Sequence, residues 1–213
     1  MEGSIVLEVG MSDGYDTVRM WERLGLPIYG FEPVPKMYEH ITNRFKDNKN
    51  IHAIAAAVDI EDGTKDFHLS NTEGRITASG TNPNIHPYGC SSLYEFSDDI
   101  HEKWEGRPDF NMTETISVKT YRLDTFLDEN NFNGEITYLH CDAQGNDVNV
   151  LRSLGKYLKC VKEGVIEVAA QVQLYKGTNN TVDVATKFLT SNGFVCKALS
   201  PDRPESDIYF KRL

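Results

Sequence analysis

Acidic residues and glycines alternate in the first predicted turn of the chain, Glu8-Val-Gly10-Met-Ser12-Asp13-Gly14. Glycines permit a sharp turn and let a ligand approach the backbone closely. A dinucleotide-binding loop reads G-x-G-x-x-G and brings backbone amides against a pyrophosphate. The carboxylates Glu8 and Asp13 would repel that anion, but they would attract an ammonium group and tolerate a sulfonium. The charge pattern therefore favours S-adenosylmethionine (SAM) over NAD as the ligand.

A further carboxylate, Glu32, ends the next predicted strand, 22 positions after Gly10 (32 − 10 = 22). In Rossmann-like folds an acidic residue at this point accepts hydrogen bonds from the ribose hydroxyls, whether the ligand is SAM or a nucleotide. Small residues around Ala56, after the third strand, leave space for a flat adenine. The residues predicted to bind the cofactor are Glu8, Gly10, Ser12, Asp13, Gly14, Glu32, Pro33, Ala56 and Asp142.

Candidates for catalysis follow the fourth predicted strand, in the run from His140 to Asp147. His140 and Asp142 are two residues apart, so they share a face of the strand. Methyl transfer needs an acceptor oxygen close to the methyl carbon and often a base for the hydroxyl proton. Glu167 is a charged residue within an apolar run, so it needs a partner for its charge or a function. We predict Asp142, His140 and Glu167 as the catalytic residues.

A magnesium site is the alternative use of this region. Its ligands would be Asp142, Asn146 and Asp147, because magnesium prefers oxygen ligands. No metal is predicted as the primary interpretation. The four cysteines, Cys90, Cys141, Cys160 and Cys196, lack zinc-ligand spacing and are expected to be reduced thiols of a cytoplasmic protein.

The elements that position these residues alternate along the chain. Strands predicted at 4–9, 27–32 and 51–58 are separated by helices at 15–24 and 35–46, which indicates βαβ units and a parallel sheet. A hairpin is predicted at 59–69 around Asp62-Gly63. Further strands are predicted at 116–120, 136–142 and 164–170, helices at 123–129, 147–154 and 182–191, and a final antiparallel pair at 194–199 and 207–211.

The least regular stretch, residues 70–115, is rich in glycine and proline. A loop this long in a compact domain is usually functional or mobile. We predict one domain over residues 1–213 with this stretch as a lid over the acceptor. The first strand begins almost at once, so the chain is expected to be a piece of a longer protein, with fusion to glycosyltransferase domains as one possibility.

The net charge and the hydropathy of the chain limit the kinds of partner that it is expected to bind. The formal net charge is −10, whereas nucleic-acid binders usually carry a basic face. We find no cluster of Lys and Arg, so nucleic acid is not a predicted partner. No apolar run is long enough to span a membrane, and no signal peptide is present.

Taken together, the motifs resemble the FkbM family of SAM-dependent methyltransferases over nearly the whole chain. That family has an acidic-x-Gly-x-Asn-x-Gly loop, and Ser12 here stands where asparagine is usual. His140 and Asn146-Asp147 also depart from the family pattern. The other matching motifs are Glu32-Pro33, Ser91-Ser92-Leu93, Leu123-Asp124-Thr-Phe126, Asp142-Ala-Gln144-Gly145, Ile166-Glu167-Val168 and Leu174-Tyr175-x-Gly177.

The resemblance implies a Rossmann-like α/β fold of the class I methyltransferase type. Its sheet would be mostly parallel and seven-stranded, with helices on both faces and a C-terminal antiparallel strand pair. Glu8, Gly10, Gly14 and Glu32 would hold SAM, and Asp142 would lie between cofactor and acceptor.

The implied reaction is methylation of a sugar hydroxyl, on a rhamnose- or fucose-like deoxyhexose of a glycan or glycoconjugate. The residues predicted to contact that acceptor are Ser92, Tyr88, Tyr94 and Trp104. Two alternatives remain: an NAD(P)-dependent sugar-modifying dehydrogenase, and a non-catalytic Rossmann-like scaffold.

Overall fold

A computed structural model describes residues 1–70, 88–104 and 110–213, and the backbone of 76–77 and 80–81. Its strands are β1 (Glu2–Val9), β2 (Ile28–Phe31), β3 (Ile51–Ile54), β4 (Ala57–Val58), β5 (Gly63–Ser70), β6 (Ile76–Thr77), β7 (Gly80–Thr81), β8 (Met112–Tyr121), β9 (Asn133–Cys141), β10 (Val161–Ala169), β11 (Phe194–Ala198) and β12 (Glu205–Arg212). Its α-helices are α1 (Tyr15–Leu24), α2 (Pro35–Arg44), α3 (Ile100–Lys103), α4 (Leu123–Glu129), α5 (Asp147–Ser153) and α6 (Val182–Ser191), with a 3₁₀ helix at Gly155–Cys160.

Seven strands form the main sheet in the order β11-β12-β10-β9-β1-β2-β3. The pairs β9–β1, β1–β2, β2–β3 and β9–β10 are parallel, while β12 runs antiparallel to both β10 and β11. The predicted fold is confirmed, including the antiparallel pair at the C-terminal end. Strand order reverses between β1 and β9, so ligands are expected at the carboxyl ends of these two strands.

Both faces of the central strands are buried. Consecutive residues Ile5, Val6 and Leu7 are each at most 1% exposed. Side chains alternate between faces along a strand, and Val6 packs against Met20 of α1 while Leu7 joins the larger core on the opposite face. This is why β1 reads as an uninterrupted apolar run rather than an alternating one.

The helices that cover the sheet are short and amphipathic. Helices α1, α2 and α6 have ten residues each, with Met20, Ile41 and Leu189 among the buried ones. In the described part of the chain, no helix combines the length and the apolar character needed to cross a bilayer.

A second sheet, in the order β4-β8-β5, corrects two predictions. The hairpin predicted at 59–69 is wrong, because β8 lies between β4 and β5 and pairs with both. The strand predicted at 51–58 divides into β3 and β4 at a tight turn, where the Ala56 amide donates to the Ile54 carbonyl. A local pattern cannot reveal a partner strand about fifty residues away.

The irregular stretch predicted at 70–115 is shorter than expected, because β5 extends to Ser70 and β8 begins at Met112. It also contains α3 and the short pair β6–β7. Residues 71–75, 78–79, 82–87 and 105–109, where much of the predicted lid falls, lie outside the described residues.

Ser70, the last residue of β5, is hydrogen-bonded to Cys90 and Ser91, near the point where the described chain resumes. Its amide donates to Ser91 Oγ at 3.0 Å, and its own Oγ accepts from the Cys90 amide at 3.1 Å. Two residues before Ser70, His68 exchanges two backbone hydrogen bonds with Ser92. The segment from residue 88 therefore runs beside β5 before it reaches the main sheet.

Candidate active site

The first loop turns sharply at the end of β1. Gly10 and Gly14 have φ values of +85° and +77°, which disfavour any side chain. A Cβ atom at Gly10 would overlap the backbone carbonyl of Asp142. Gly10 therefore lets the end of β1 lie directly against the end of β9, at the point where strand order reverses.

Glu32 is held by backbone amides at the end of β2. Its Oε2 accepts from the Ser12 amide and its Oε1 from the Val34 amide, each at 2.9 Å. The residue is only 4% exposed, and this burial raises the pKa of its carboxyl to about 7. Each oxygen keeps a free lone pair, so the carboxylate can accept two further hydrogen bonds from a ligand.

A cleft opens above these strand ends, with about 690 Å³ of space that includes the open solvent at its mouth. One end is apolar and includes Phe31, Ala56 and Val58, whereas the other is polar and includes Asp142 and Gln144. Its remaining lining residues are Val9, Gly10, Ser12, Glu32, Pro33, Val34, Met37, Ala57, Phe67, Tyr88, Gly89, Ser91, Leu93, Ala143 and Asn146.

Six of the nine predicted cofactor residues line this cleft: Gly10, Ser12, Glu32, Pro33, Ala56 and Asp142. Glu8, Asp13 and Gly14 do not. The Asp13 carboxylate accepts from the Tyr15 amide at 2.9 Å, at the start of α1. Gly14 caps the same helix, and a Cβ there would press on the Phe45 ring.

Glu8 lies fully buried below the cleft. It shares a face of β1 with Val6, so it points toward α1, where Thr17 Oγ1 donates to its Oε2 at 2.7 Å. Its Oε1 has no hydrogen-bond partner. Burial raises the pKa of the Glu8 carboxyl to about 8, so this group is largely protonated at neutral pH.

At the polar end of the cleft, the amide of Gln144 joins two carboxylates. Its Nε2 donates to Asp142 Oδ1 at 2.5 Å and to Glu167 Oε2 at 3.0 Å. Its Oε1 accepts from the hydroxyl of Tyr175 at 2.5 Å. The structure thus brings together Asp142 and Glu167, which are 25 positions apart (167 − 142 = 25).

Glu167 lies among negatively charged side chains. Burial raises the pKa of its carboxyl well above the usual value, and the neighbouring charges of Asp142 and Glu205 raise it further. In the part of the chain that the structure describes, no Lys or Arg forms an ion pair with Asp142, Glu167 or Asp207. This end of the cleft suits a neutral or cationic acceptor better than an anion.

His140, predicted as a possible base, does not line the cleft. It lies on β9 between Glu8 of β1 and Val165 of β10, on the face that also carries Tyr138 and α1. Its Nδ1 is buried without a hydrogen-bond partner. His140 therefore lies within β9 and away from the cleft, whereas Asp142 follows the end of the strand and lines the cleft.

Two of the alternative magnesium ligands, Asn146 and Asp147, accept hydrogen bonds from donors of the protein. Asn146 Oδ1 accepts from the Tyr94 hydroxyl at 3.0 Å. Asp147 is fully buried, and its oxygens accept from the Ala143 amide and from Asn180 Nδ2. Within the described residues, no group of three His, Cys, Asp or Glu side chains could hold a metal ion.

The predicted acceptor residues lie in different places. Tyr88 lines the cleft, and Ser92 Oγ donates to the Gln144 carbonyl at 2.6 Å. Tyr94 reaches the same run of residues through Asn146. Trp104 does not line the cleft but packs against Phe110, with ring centroids 5.1 Å apart.

Two residues of the network were assigned no role from the sequence. Gln144 and Tyr175 both stand in motifs typical of the family, but nothing in the sequence shows that they meet. Gln144 adopts a left-handed φ of +48°, a conformation uncommon for a residue with a long side chain. That conformation cannot be read from its neighbours.

Comparisons with known proteins agree with this geometry. The family model described as the methyltransferase FkbM domain matches residues 8–196. No curated protein matches the chain.

Two solved structures share the fold. One is SMU.1697c, a putative methyltransferase from Streptococcus mutans in complex with SAH, with a TM-score of 0.51 and 11% identity over 100% of this chain and 90% of that one. The other is Aeropyrum pernix fibrillarin with bound S-adenosyl-L-methionine, with a TM-score of 0.51 and 14% identity over 98% of this chain and 66% of that one. Since the family model matches most of the sequence and the sheet has the class I order, the chain belongs to the FkbM domain family of SAM-dependent methyltransferases.

Proposed function

We propose that this methyltransferase transfers the methyl group of SAM to a sugar hydroxyl, on a rhamnose- or fucose-like deoxyhexose of a glycan or glycoconjugate. The observation that carries the proposal is the pair of carboxylates Asp142 and Glu167, joined by Gln144 at the polar end of the cleft. SAM supplies an electrophilic methyl group on a sulfonium, so the protein needs only to orient and deprotonate the acceptor.

The cofactor half of the cleft fits a nucleoside. The free lone pairs of Glu32 would accept from the two ribose hydroxyls. Phe31, Ala56 and Val58 give this part of the cleft an apolar lining, which suits a purine ring. The backbone of Gly10 and Ser12 would lie along the methionine portion, which leads toward Asp142.

The carboxylates supply the base. Asp142 lines the cleft and would accept a hydrogen bond from the acceptor hydroxyl. As the new carbon–oxygen bond forms and the carbon–sulfur bond breaks, the hydroxyl proton passes to a carboxylate of this pair. Burial raises the pKa of Glu167, and a higher pKa makes a carboxylate a stronger base. Base catalysis of this kind contributes roughly 10²- to 10⁴-fold to a rate.

A neutral sugar suits this electrostatic setting. Glu205 and Asp207 of β12 add to the negative potential around Glu167, and the whole chain carries a net charge of −10. A polyanion such as RNA would be repelled from it. Tyr88 lines the cleft, and its ring would pack against the apolar face of a sugar ring.

The first test is calorimetric titration with SAM, S-adenosylhomocysteine (SAH) and NAD. We expect micromolar affinity for SAM and SAH, weakened about 10- to 100-fold in Glu32→Ala because two hydrogen bonds to a charged group are lost. Glu22→Ala, at an exposed position on α1, is the matched control. Binding of NAD instead would favour a dehydrogenase, and no binding by folded protein would favour a scaffold.

The second test concerns the acceptor. Methyl α-L-rhamnopyranoside, methyl α-L-fucopyranoside and a short RNA duplex would be incubated with isotopically labelled SAM, and products analysed by mass spectrometry. We expect the label on a sugar hydroxyl. Label on the RNA alone would contradict the sugar acceptor while leaving the cofactor assignment intact.

A further inference from the structure

The amide of Gln144 has a defined orientation because of its partners. Nε2 faces Asp142 Oδ1 and Glu167 Oε2, and its two protons allow it to donate to both oxygens at once. The opposite end, Oε1, accepts from Tyr175. Rotation of this amide by 180° would place Oε1 against two carboxylates and would leave the Tyr175 hydroxyl facing an NH₂ group.

Tyr175 is itself rigidly held. It is 2% exposed, and its ring stacks on Phe96 with centroids 5.4 Å apart. A Cβ atom at Gly145 would collide with that ring, so the turn after Gln144 rests directly on it. Backbone hydrogen bonds on both sides, from Ser97 to Leu174 and from Lys176 to Glu95, fix the segment that carries Tyr175.

The Tyr175 hydroxyl remains a donor at any working pH. Burial raises the pKa of this phenol well above its usual value, so it does not ionise in the range where enzymes act. Its other contact is the Cys90 carbonyl at 3.2 Å, a longer bond than the 2.5 Å bond to Gln144. The hydroxyl therefore directs its proton to Gln144.

We propose that Tyr175 is a positioning residue of the methyl-transfer site, and that it acts only through Gln144 by holding the amide so that one nitrogen orients both Asp142 and Glu167. This inference rests on the proposed role of the two carboxylates. It extends that role to a residue that is buried and does not line the cleft.

Removal of the hydroxyl has a predictable effect. In Tyr175→Phe the ring keeps its stacking on Phe96, while the amide of Gln144 loses the partner that sets its orientation. A hydrogen bond from Nε2 favours the ionised form of Glu167, so its loss raises the pKa of that carboxyl further. The loss of one such bond corresponds to roughly half to one pH unit. Asp147, Glu205 and Asp207 also act on Glu167, and Tyr175→Phe leaves them unchanged.

The first measurement needs no acceptor. Carboxyl carbon NMR titrations of wild type, Tyr175→Phe and Gln144→Met, with SAH bound, would follow the Glu167 signal. We expect both variants to shift these titrations upward while SAH affinity changes less than about threefold. Tyr157→Phe is the matched control, because it removes an exposed phenol hydroxyl that bonds to Asp128, and we expect no shift.

Kinetics give the second measurement, on whichever glycoside accepts the methyl group. We expect Tyr175→Phe to lower kcat about tenfold, to leave the KM for SAM unchanged and to move the pH–rate profile upward. The double variant Tyr175→Phe/Gln144→Met should be no slower than Gln144→Met alone, since coupled residues are not additive.

Three results would overturn the inference: an unshifted titration in Tyr175→Phe, an unshifted titration in Gln144→Met, or full additivity in the double variant. If Tyr175→Phe fails to fold, Gln144→Met still decides the first question. Shifted titrations in a protein that methylates no sugar would instead retain the positioning role and reject the proposed acceptor.

Discussion

The two halves of the cleft are constructed differently. In the cofactor half, Glu32 is oriented by backbone amides and Gly10 permits close approach of two strand ends. In the acceptor half, side chains hold one another, with Gln144 bridging Asp142 and Glu167. A backbone-held site tolerates change around it, whereas a side-chain network depends on every member. We therefore expect mutations in the two halves to separate binding from catalysis.

The largest expected effect is on the acceptor side. Asp142→Asn keeps the shape of the side chain but removes the charge that accepts the hydroxyl proton. We expect kcat to fall about 10³-fold, while SAH affinity measured by calorimetry changes less than tenfold. A loss of SAH binding as large as the loss of rate would show that the two halves are not separable at this residue.

Gly10→Ala tests the cofactor half. The new methyl group would meet the Asp142 carbonyl, and the backbone has a φ of +85°. We expect a loss of about 3 kcal/mol or more in the free energy of unfolding measured in urea, together with weaker SAH binding. Gly25→Ala is the control, because its φ is +62° and nothing lies within 4 Å of the added atom. That variant should lose about 1 kcal/mol, and equal losses would remove the strand contact as the cause.

A substitution of Glu8 would measure how much stability a buried carboxyl beneath the cofactor half costs. Its pKa is about 8 in the folded protein, against a usual value of 4.5, so the native state holds more protons than the unfolded state between these values. Stability therefore falls as pH rises through this window. From pH 6 to 8 we expect the free energy of unfolding in urea to fall less in Glu8→Gln than in wild type. The difference between the two proteins is up to about 3 kcal/mol. Parallel pH profiles of the two proteins would contradict this.

The smallest expected effect is the pH dependence of cofactor binding. The pKa of Glu32 is about 7 without ligand, and ribose hydroxyls prefer its ionised form. SAH affinity should therefore rise about fivefold from pH 6 to 7, reach about tenfold by pH 8 and level off above it. In Glu32→Gln the affinity should be weaker and flat over the same range. A wild-type profile without a slope would mean that ribose does not bind at this carboxylate.

Sequence patterns predicted the parts of the molecule that depend on near neighbours. The alternation of strands and helices, Gly10, and Glu32 at the end of β2 all follow from short stretches of chain. The position of β8 between β4 and β5 did not, because it depends on a pairing across about fifty residues. The contact of Gln144 with Tyr175 is similarly distant in sequence.

Strand geometry explains two further differences from prediction. Glu8 was expected in the site because its carboxylate begins the first loop, and His140 because it lies two residues before Asp142. Side chains within a strand point to a face of the sheet, however, and the face shared by Glu8 and His140 carries α1. Gly10 and Asp142, which follow the ends of β1 and β9, line the cleft instead.

The bonds between Ser70 and the pair Cys90–Ser91 have a consequence for engineering. They hold together the two points between which the chain from β5 to Tyr88 runs. Doubling the length of a loop costs only about 0.6 kcal/mol in closure entropy. Insertions between these two points should therefore cost little stability, because Ser70, Cys90 and Ser91 keep the ends together.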